Sequence, residues 1–310
     1  MHSLEMRRAA GLPPSLHGRT FTTAEGFGAG VTRKRMRGAD LAGPFHGIRV
    51  PRERDATPAS LILIYWKRMS PGHFFSHVTA ALIHGLPLPL ELQRSSTLHV
   101  CTEEPSARHG SSGVVGHHCL SGSIRVVKVR GLRVASPVDT WCQLSTVLSL
   151  DDLIKVGDAL VRRKKPFATM DELRFAVLRY TGHRGAKKLR AAFELVRPGV
   201  DSPKETELRL LLVRARLPEP EVNGIIRNRY GAKIATGDLV YREYRVLVEY
   251  DGGQHRTDEG QYHWDIDRLD EIMEESWRVL RINKSHLHPH PSVAIRKVET
   301  ALRAAGWHPQ

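Results

Sequence analysis

Cysteine is scarce in this chain, with three in 310 residues. Three thiols make no disulfide framework, so a reducing cytoplasm is the expected setting. Long hydrophobic runs are missing as well. No apolar stretch approaches the roughly 20 residues a membrane helix needs, and Met1 to Gly18 has no apolar core of signal-peptide length. There are no internal repeats and no low-complexity tract. His117, His118, Cys101, Cys119 and Cys142 crowd the middle of the chain, but they carry no Cys-x-x-Cys or His-x-x-x-His spacing. The cysteines read as small core residues rather than zinc ligands.

What remains is a soluble composition, 41% hydrophobic and 26% charged, with a net charge of +14. The charge is unevenly spread. Residues 201–310 hold 17 Lys and Arg against 18 Asp and Glu, and subtraction from the whole-chain totals leaves 30 against 15 in residues 1–200. The excess basicity lies in the first two thirds, which points to a polyanionic partner, most simply DNA, with RNA also open. A basic but inert surface is the alternative.

Four segments are expected along the chain: a flexible leader (1–17), a winged-helix-like DNA-binding region (18–55), an α+β middle domain (56–197) and a C-terminal domain (201–310). Arg197-Pro198-Gly199-Val200-Asp201 is the linker candidate. In the second segment a helix, a turn at Gly30, a basic helix capped by Thr32 and a short strand to Pro51 suit a small winged helix-turn-helix. Arg33, Lys34, Arg35 and Arg37 would then sit against phosphates. Ser76, Ser136 and Ser149 are expected helix caps, and Thr97–Cys101, Ile124–Val129 and Leu132–Val134 read as strands.

The chemistry is expected after Ser202. Ser202-Pro203-Lys204-Glu205 starts a helix with Glu205 as the far half of a capping box. Ile234–Tyr241 and Arg245–Tyr250 are two apolar strands, each with a carboxylate. A hairpin centred between Glu243 and Tyr244 requires partner numbers to sum to 487, which places Asp238 opposite Glu249. Like charges so placed destabilise a sheet unless a divalent cation lies between them or one is protonated. The Asp251-Gly252-Gly253-Gln254-His255 turn could bring His255 back to that face as ligand or proton-transfer group.

Helix, strand, strand, turn, helix, strand, helix is the resulting order, and here the chain resembles a known family. Residues 202–287 are similar to the PD-(D/E)xK restriction-endonuclease-like superfamily, and within it to the very-short-patch-repair (Vsr-like) group. The resemblance is carried by Ser202-Pro203-x-Glu205-Thr206, Gly237-Asp238-Leu239, Glu249-Tyr250-Asp251-Gly252-x-x-His255, Asp265-x-x-Arg268 and Trp277-Arg278-Val279-x-Arg281. It implies an α/β/α domain with a mixed sheet and a Mg²⁺ (or Mn²⁺) site. In it Asp238 is the central ligand, Glu249 the second carboxylate and Glu205 an outer one acting on the attacking water. The superfamily's usual lysine two residues past the second carboxylate is Asp251 here, and the Vsr-like group uses histidine instead. Residues 19–165 resemble the antitoxins of abortive-infection (AbiEi-type) type IV toxin–antitoxin systems. The matching pieces are Gly47-Ile48-Arg49-Val50-Pro51, Ser76-His77-x-x-Ala80-Ala81-x-x-His84-Gly85 and Ser136-Pro137-Val138-Asp139-Thr140.

The expectation is an α/β, DNA-binding, metal-dependent endonuclease in DNA repair or phage defence, with a toxin or repair protein as a further partner. The alternative is a non-catalytic DNA-binding regulator or antitoxin.

Overall fold

The first helix forms where the chain supplies both halves of a capping box. Thr22 Oγ1 accepts the Glu25 N–H at 3.1 Å, and the Glu25 carboxylate accepts the Thr22 N–H at 2.6 Å. These bonds start α1 (Thr23–Gly28). The computed structural model describes residues 11–52, 57–104, 112–252 and 269–309. These divide into two compact units, 1–147 and 148–310. The division falls at Val147/Leu148, so the helices between 150 and 195 belong with the C-terminal unit rather than with a middle domain ending at 197.

In the first unit β1 (Phe21–Thr22), β2 (Leu41–Ala42) and β3 (Ile48–Pro51) make a three-stranded sheet in the order β1-β3-β2. Leu16, Phe21, Val31, Met36 and Leu41 form its core. The basic helix expected after Thr32 is a single 3-10 turn, Arg35–Arg37. Thr32 does accept the Arg35 N–H at 3.2 Å. Gly38 then ends the turn, Met36 is buried, and Arg35 closes a two-pronged pair on Asp40 at 2.6 and 2.8 Å. Too few residues remain to offset helix nucleation.

The rest of that unit comprises α2 (Pro58–Trp66), β4 (His73–Phe75), α3 (His77–His84), α4 (Leu90–Gln93), β5 (Leu98–Thr102), β6 (Val114–His118), β7 (Val126–Val129), β8 (Leu132–Ala135) and α5 (Pro137–Leu144). The strands form one mixed sheet, β6-β5-β4-β8-β7. β5 runs parallel to β6, and β4 parallel to β8. Helix α3 packs on β5 and α5, and ends at Gly85 in the left-handed conformation that favours glycine.

The second unit opens with α6 (Leu150–Leu160), α7 (Met170–Arg179), α8 (Ala186–Leu195) and α9 (Pro203–Arg214). A buried ionic cluster ties three of them. Asp158 on α6 accepts from Arg209 Nη2 (3.0 Å) and Thr206 Oγ1 (2.8 Å) on α9 and from the Arg197 N–H (2.8 Å), while Arg209 also donates to the Leu195 carbonyl at the end of α8. Asp158 and Arg209 are both almost wholly buried. The segment 197–201 is bound into this unit: Gly199 N–H donates to the Val161 carbonyl and Arg163 pairs with Asp201.

The sheet of this unit comprises β9 (Glu221–Arg227), β10 (Lys233–Tyr241), β11 (Val246–Asp251) and β12 (Arg278–Asn283), in the order β12-β11-β10-β9. Pairing is antiparallel from β9 to β11, and β12 is parallel to β11. It is followed by α10 (Lys284–Leu287) and α11 (Pro291–Ala304). One face packs Leu239, Tyr241, Val246 and Val248 against α9 and α11. The other packs Ala235, Val240 and Leu247 against Ile272 and Trp277. The chain is thus an α/β protein with mixed sheets. Among the described residues no helix is long and apolar enough to cross a membrane.

Candidate functional site

A 3-10 turn over Arg242–Tyr244 and a left-handed residue at Arg245 (φ 50°) join β10 to β11. The strands pair as Leu239 with Val248, Val240 with Leu247 and Tyr241 with Val246, so every pair sums to 487. The ladder stops one pair short of Asp238 and Glu249. In place of a ladder bond, Asp238 Oδ2 accepts the N–H of Tyr250 at 2.8 Å. Asp238 is therefore fixed to the backbone beside Glu249, and both side chains are half-buried.

The pleat reverses at this position. Residues 235, 237, 239 and 241 would share one face of a regular strand. Ala235 lies on the Trp277 face, and a Cβ built on Gly237 would meet Leu247 Cδ1 of that face at 2.1 Å. Leu239 and Tyr241 lie on the α9 face. The neighbouring strand does the same: Gly224 and Ile226 face Val240 and its cluster, whereas Val222 packs on the α9 side. Asn223, where that reversal falls, has φ 48°. Gly237 pairs with Gly224 and Leu239 with Val222, so Asn223 stands opposite Asp238.

Asn223, opposite Asp238, reaches the start of α9. Its Nδ2 donates to Glu205 Oε2 at 2.8 Å and to the Gly199 carbonyl at 2.9 Å. Ser202 caps α9 by accepting the Glu205 N–H at 3.2 Å. The reciprocal half of the expected capping box is shifted by one residue, because the Glu205 carboxylate takes the N–H of Asp201 (3.0 Å). Glu205 is 6% exposed. A buried carboxylate held by two N–H donors is positioned rather than merely solvated.

A cation borders this group. Arg163 Nε donates to Asp201 at 3.0 Å, and this bond, reinforced by the charges of Asp201, Glu205 and Asp238, holds the guanidinium more firmly protonated than usual. Asp251 pairs with Asn283 in the parallel β11–β12 ladder, one step beyond Tyr250 with Ile282. Glu205 and Asp238 both act on Arg163, and Glu249 follows on β11; among the described residues the three carboxylates do not gather within 4.8 Å of one another. His255, Asp265 and Arg268 lie outside the described residues.

Of the four basic residues expected to meet nucleic acid, Arg33, Lys34 and Arg37 are exposed around the 3-10 turn. Arg35 is only half-exposed and is engaged by Asp40.

Sequence reasoning did not assemble one further cluster. His77 opens α3, His99 lies in β5 and His117 in β6, and one ring nitrogen of each lies within 4.8 Å of the other two. His99 Nδ1 and His117 Nε2 share a hydrogen bond of 2.9 Å. The His77 and His117 rings stack at 3.7 Å with 17° between planes. Burial first, and the neighbouring imidazoles second, hold His77 down to about 2 and His99 down to about 4, and burial lowers His117 as well. Two signals existed in the sequence. One was His99 in a strand whose alternate residues Leu98 and Val100 are core. The other was a His73-x-x-x-His77 spacing, which misleads, because His73 lies in β4 and only His77 joins the cluster.

No protein-family model and no solved structure matches the chain. Two Mycobacterium tuberculosis proteins are similar to it, Rv2248 of strain H37Rv and MT2308 of strain CDC 1551, both described as uncharacterized. Each is 22% identical over 228 residues, covering 73% of this chain and 80% of the relative.

Proposed function

We propose that the C-terminal unit hydrolyses phosphodiester bonds of nucleic acid, DNA first, with Mg²⁺ or Mn²⁺, and that the protein works in the cytoplasm in DNA repair or phage defence. The observation that carries this reading is the setting of Asp238. It sits where both flanking ladders are interrupted, is held by the Tyr250 N–H next to Glu249, and faces Asn223, which grips Glu205. Three carboxylates on three elements offer the all-oxygen donors that a hard divalent cation prefers.

Asp238 and Glu249 would hold the cation, with Glu205 at its edge. When bound, such a cation lowers the pKa of water and stabilises charge developing on the phosphate. The chain's own groups do the rest. Glu205, kept in place by Asp201 and Asn223, would accept a proton from the attacking water. Arg163 adds positive charge beside the carboxylates for a phosphate to approach. His255 would assist proton transfer to the leaving group. Arg33, Lys34 and Arg37, exposed on the N-terminal turn, would grip the backbone of the nucleic acid.

A second reading has Asp251 in its favour. Without the usual lysine, the fold could serve a DNA-binding regulator or antitoxin whose partner is a toxin. Paired measurements on Asp238→Ala and Glu249→Ala separate the two. The nuclease reading expects both variants to bind duplex DNA like the parent and to lose metal-dependent cleavage. The regulator reading expects salt-sensitive binding of one DNA sequence, with no cleavage by the parent to lose.

A further inference from the structure

We infer that His77, His99 and His117 form a second metal site in the N-terminal unit, one for a borderline transition-metal dication of the Zn²⁺ class, independent of the carboxylate site. Three imidazoles from three elements converge until one nitrogen of each lies within 4.8 Å of the others. Neutral imidazole is the ligand such ions favour, whereas Mg²⁺ and Mn²⁺ prefer oxygen. Three histidines leave a fourth position open to water or to a fourth ligand.

The surroundings lack what an ordinary histidine cluster would have. Among the described residues no carboxylate pairs with any of the three rings, so nothing there stabilises them as cations. What they do have suits ligation. Ser76 Oγ lies 3.1 Å from His77 Nδ1, the outer contact that orients a ligating imidazole and leaves Nε2 for the ion. The Ser76 hydroxyl makes no capping bond to α3, although the residue sits at the cap. His77 itself holds a left-handed backbone (φ 47°), fixed by its N–H to Gln143 Oε1 at 2.9 Å. Such a conformation is costly for a residue with a Cβ, and it aims this ring at the β5–β6 edge.

The three rings lie nearly parallel, with 17° between His77 and His117 and 13° between His99 and His117. Ligation therefore requires rings to turn about Cβ–Cγ, a soft torsion, and to exchange the His99–His117 hydrogen bond for bonds to the ion. The bound ion would pin the start of α3 to edge strand β6 and its neighbour β5.

The test uses untagged full-length protein stripped with chelator, with Co²⁺ alone as the visible-absorbing probe and Mg²⁺ in excess to occupy oxygen sites. The parent should bind one Co²⁺ per chain. His99→Ala and His117→Ala should each weaken it by more than the roughly 10–100-fold that loss of an outer contact costs, and Asp238→Ala should leave it unchanged. Absence of Co²⁺ binding, binding unchanged in both histidine variants, or binding lost in Asp238→Ala would overturn the assignment. If the histidine variants do not fold, imidazole NMR of the parent with Zn²⁺ decides. Shifts at His77, His99 and His117 support the site, and shifts only at other histidines, or none, refute it.

Discussion

At the scale of single residues, positions are set by what a buried group must find. His84 shows this away from either site. Its Nε2–H donates to the Ala135 carbonyl at 2.8 Å, and burial lowers its pKa although that hydrogen bond opposes the shift. An imidazole depressed in the folded state contributes stability that is complete above its unfolded value, about 6.5. That contribution is lost as pH falls from there through the folded value. The His84 ring proton should therefore titrate by NMR with a midpoint below 6.5, and a midpoint at or above it would refute the burial account. Gly237 is a second such residue. An added Cβ would fall 2.1 Å from the buried Leu247 Cδ1 and 3.1 Å from Val240 Cγ2. Gly237→Ala should cost about 1–3 kcal/mol in urea unfolding, the usual range for overpacking.

At the scale of elements, the hairpin, the helix before it and the strand after it are legible in the sequence, and β9 is not. A two-strand pattern with a defined centre fixes its own register, so the sum of 487 holds at Leu239–Val248, Val240–Leu247 and Tyr241–Val246. Strand β9 escaped notice because Asn223-Gly224 reads as a turn, whereas here it is the place where the pleat reverses. The basic helix at 32–37 was over-read, since charge at a helix start says nothing about whether enough chain follows to form the helix. The histidine cluster stayed hidden because its members are 22 and 18 residues apart and only the parallel pairing of β5 with β6 unites two of them. The Asp158–Arg209 tie is likewise invisible in sequence. With both side chains 1% exposed, Arg209→Met would leave a buried carboxylate without its cation. It should destabilise the second unit by about 3–5 kcal/mol, and a loss under 1 kcal/mol in denaturant unfolding would count against the tie.

At the scale of the whole molecule, the basic charge and the three candidate carboxylates are divided along the chain. Residues 1–200 carry the basic excess, and residues 201–310 are close to neutral and carry Glu205, Asp238 and Glu249. The logarithm of the polyanion binding constant should therefore fall linearly with the logarithm of salt concentration. Replacing Arg33, Lys34 and Arg37 together by Ala should reduce that slope by roughly 2–3 if each meets a phosphate. An unchanged slope would move the contact elsewhere on the basic surface. The carboxylate site makes the more demanding claim, and end-labelled duplex DNA, single-stranded DNA and RNA tested with Mg²⁺, Mn²⁺ or chelator address it directly. The parent protein should cut at least one of them with a divalent cation, chelator should stop the cutting, and Asp238→Ala should not cut. Intact substrates with the parent protein under both metals would contradict that claim.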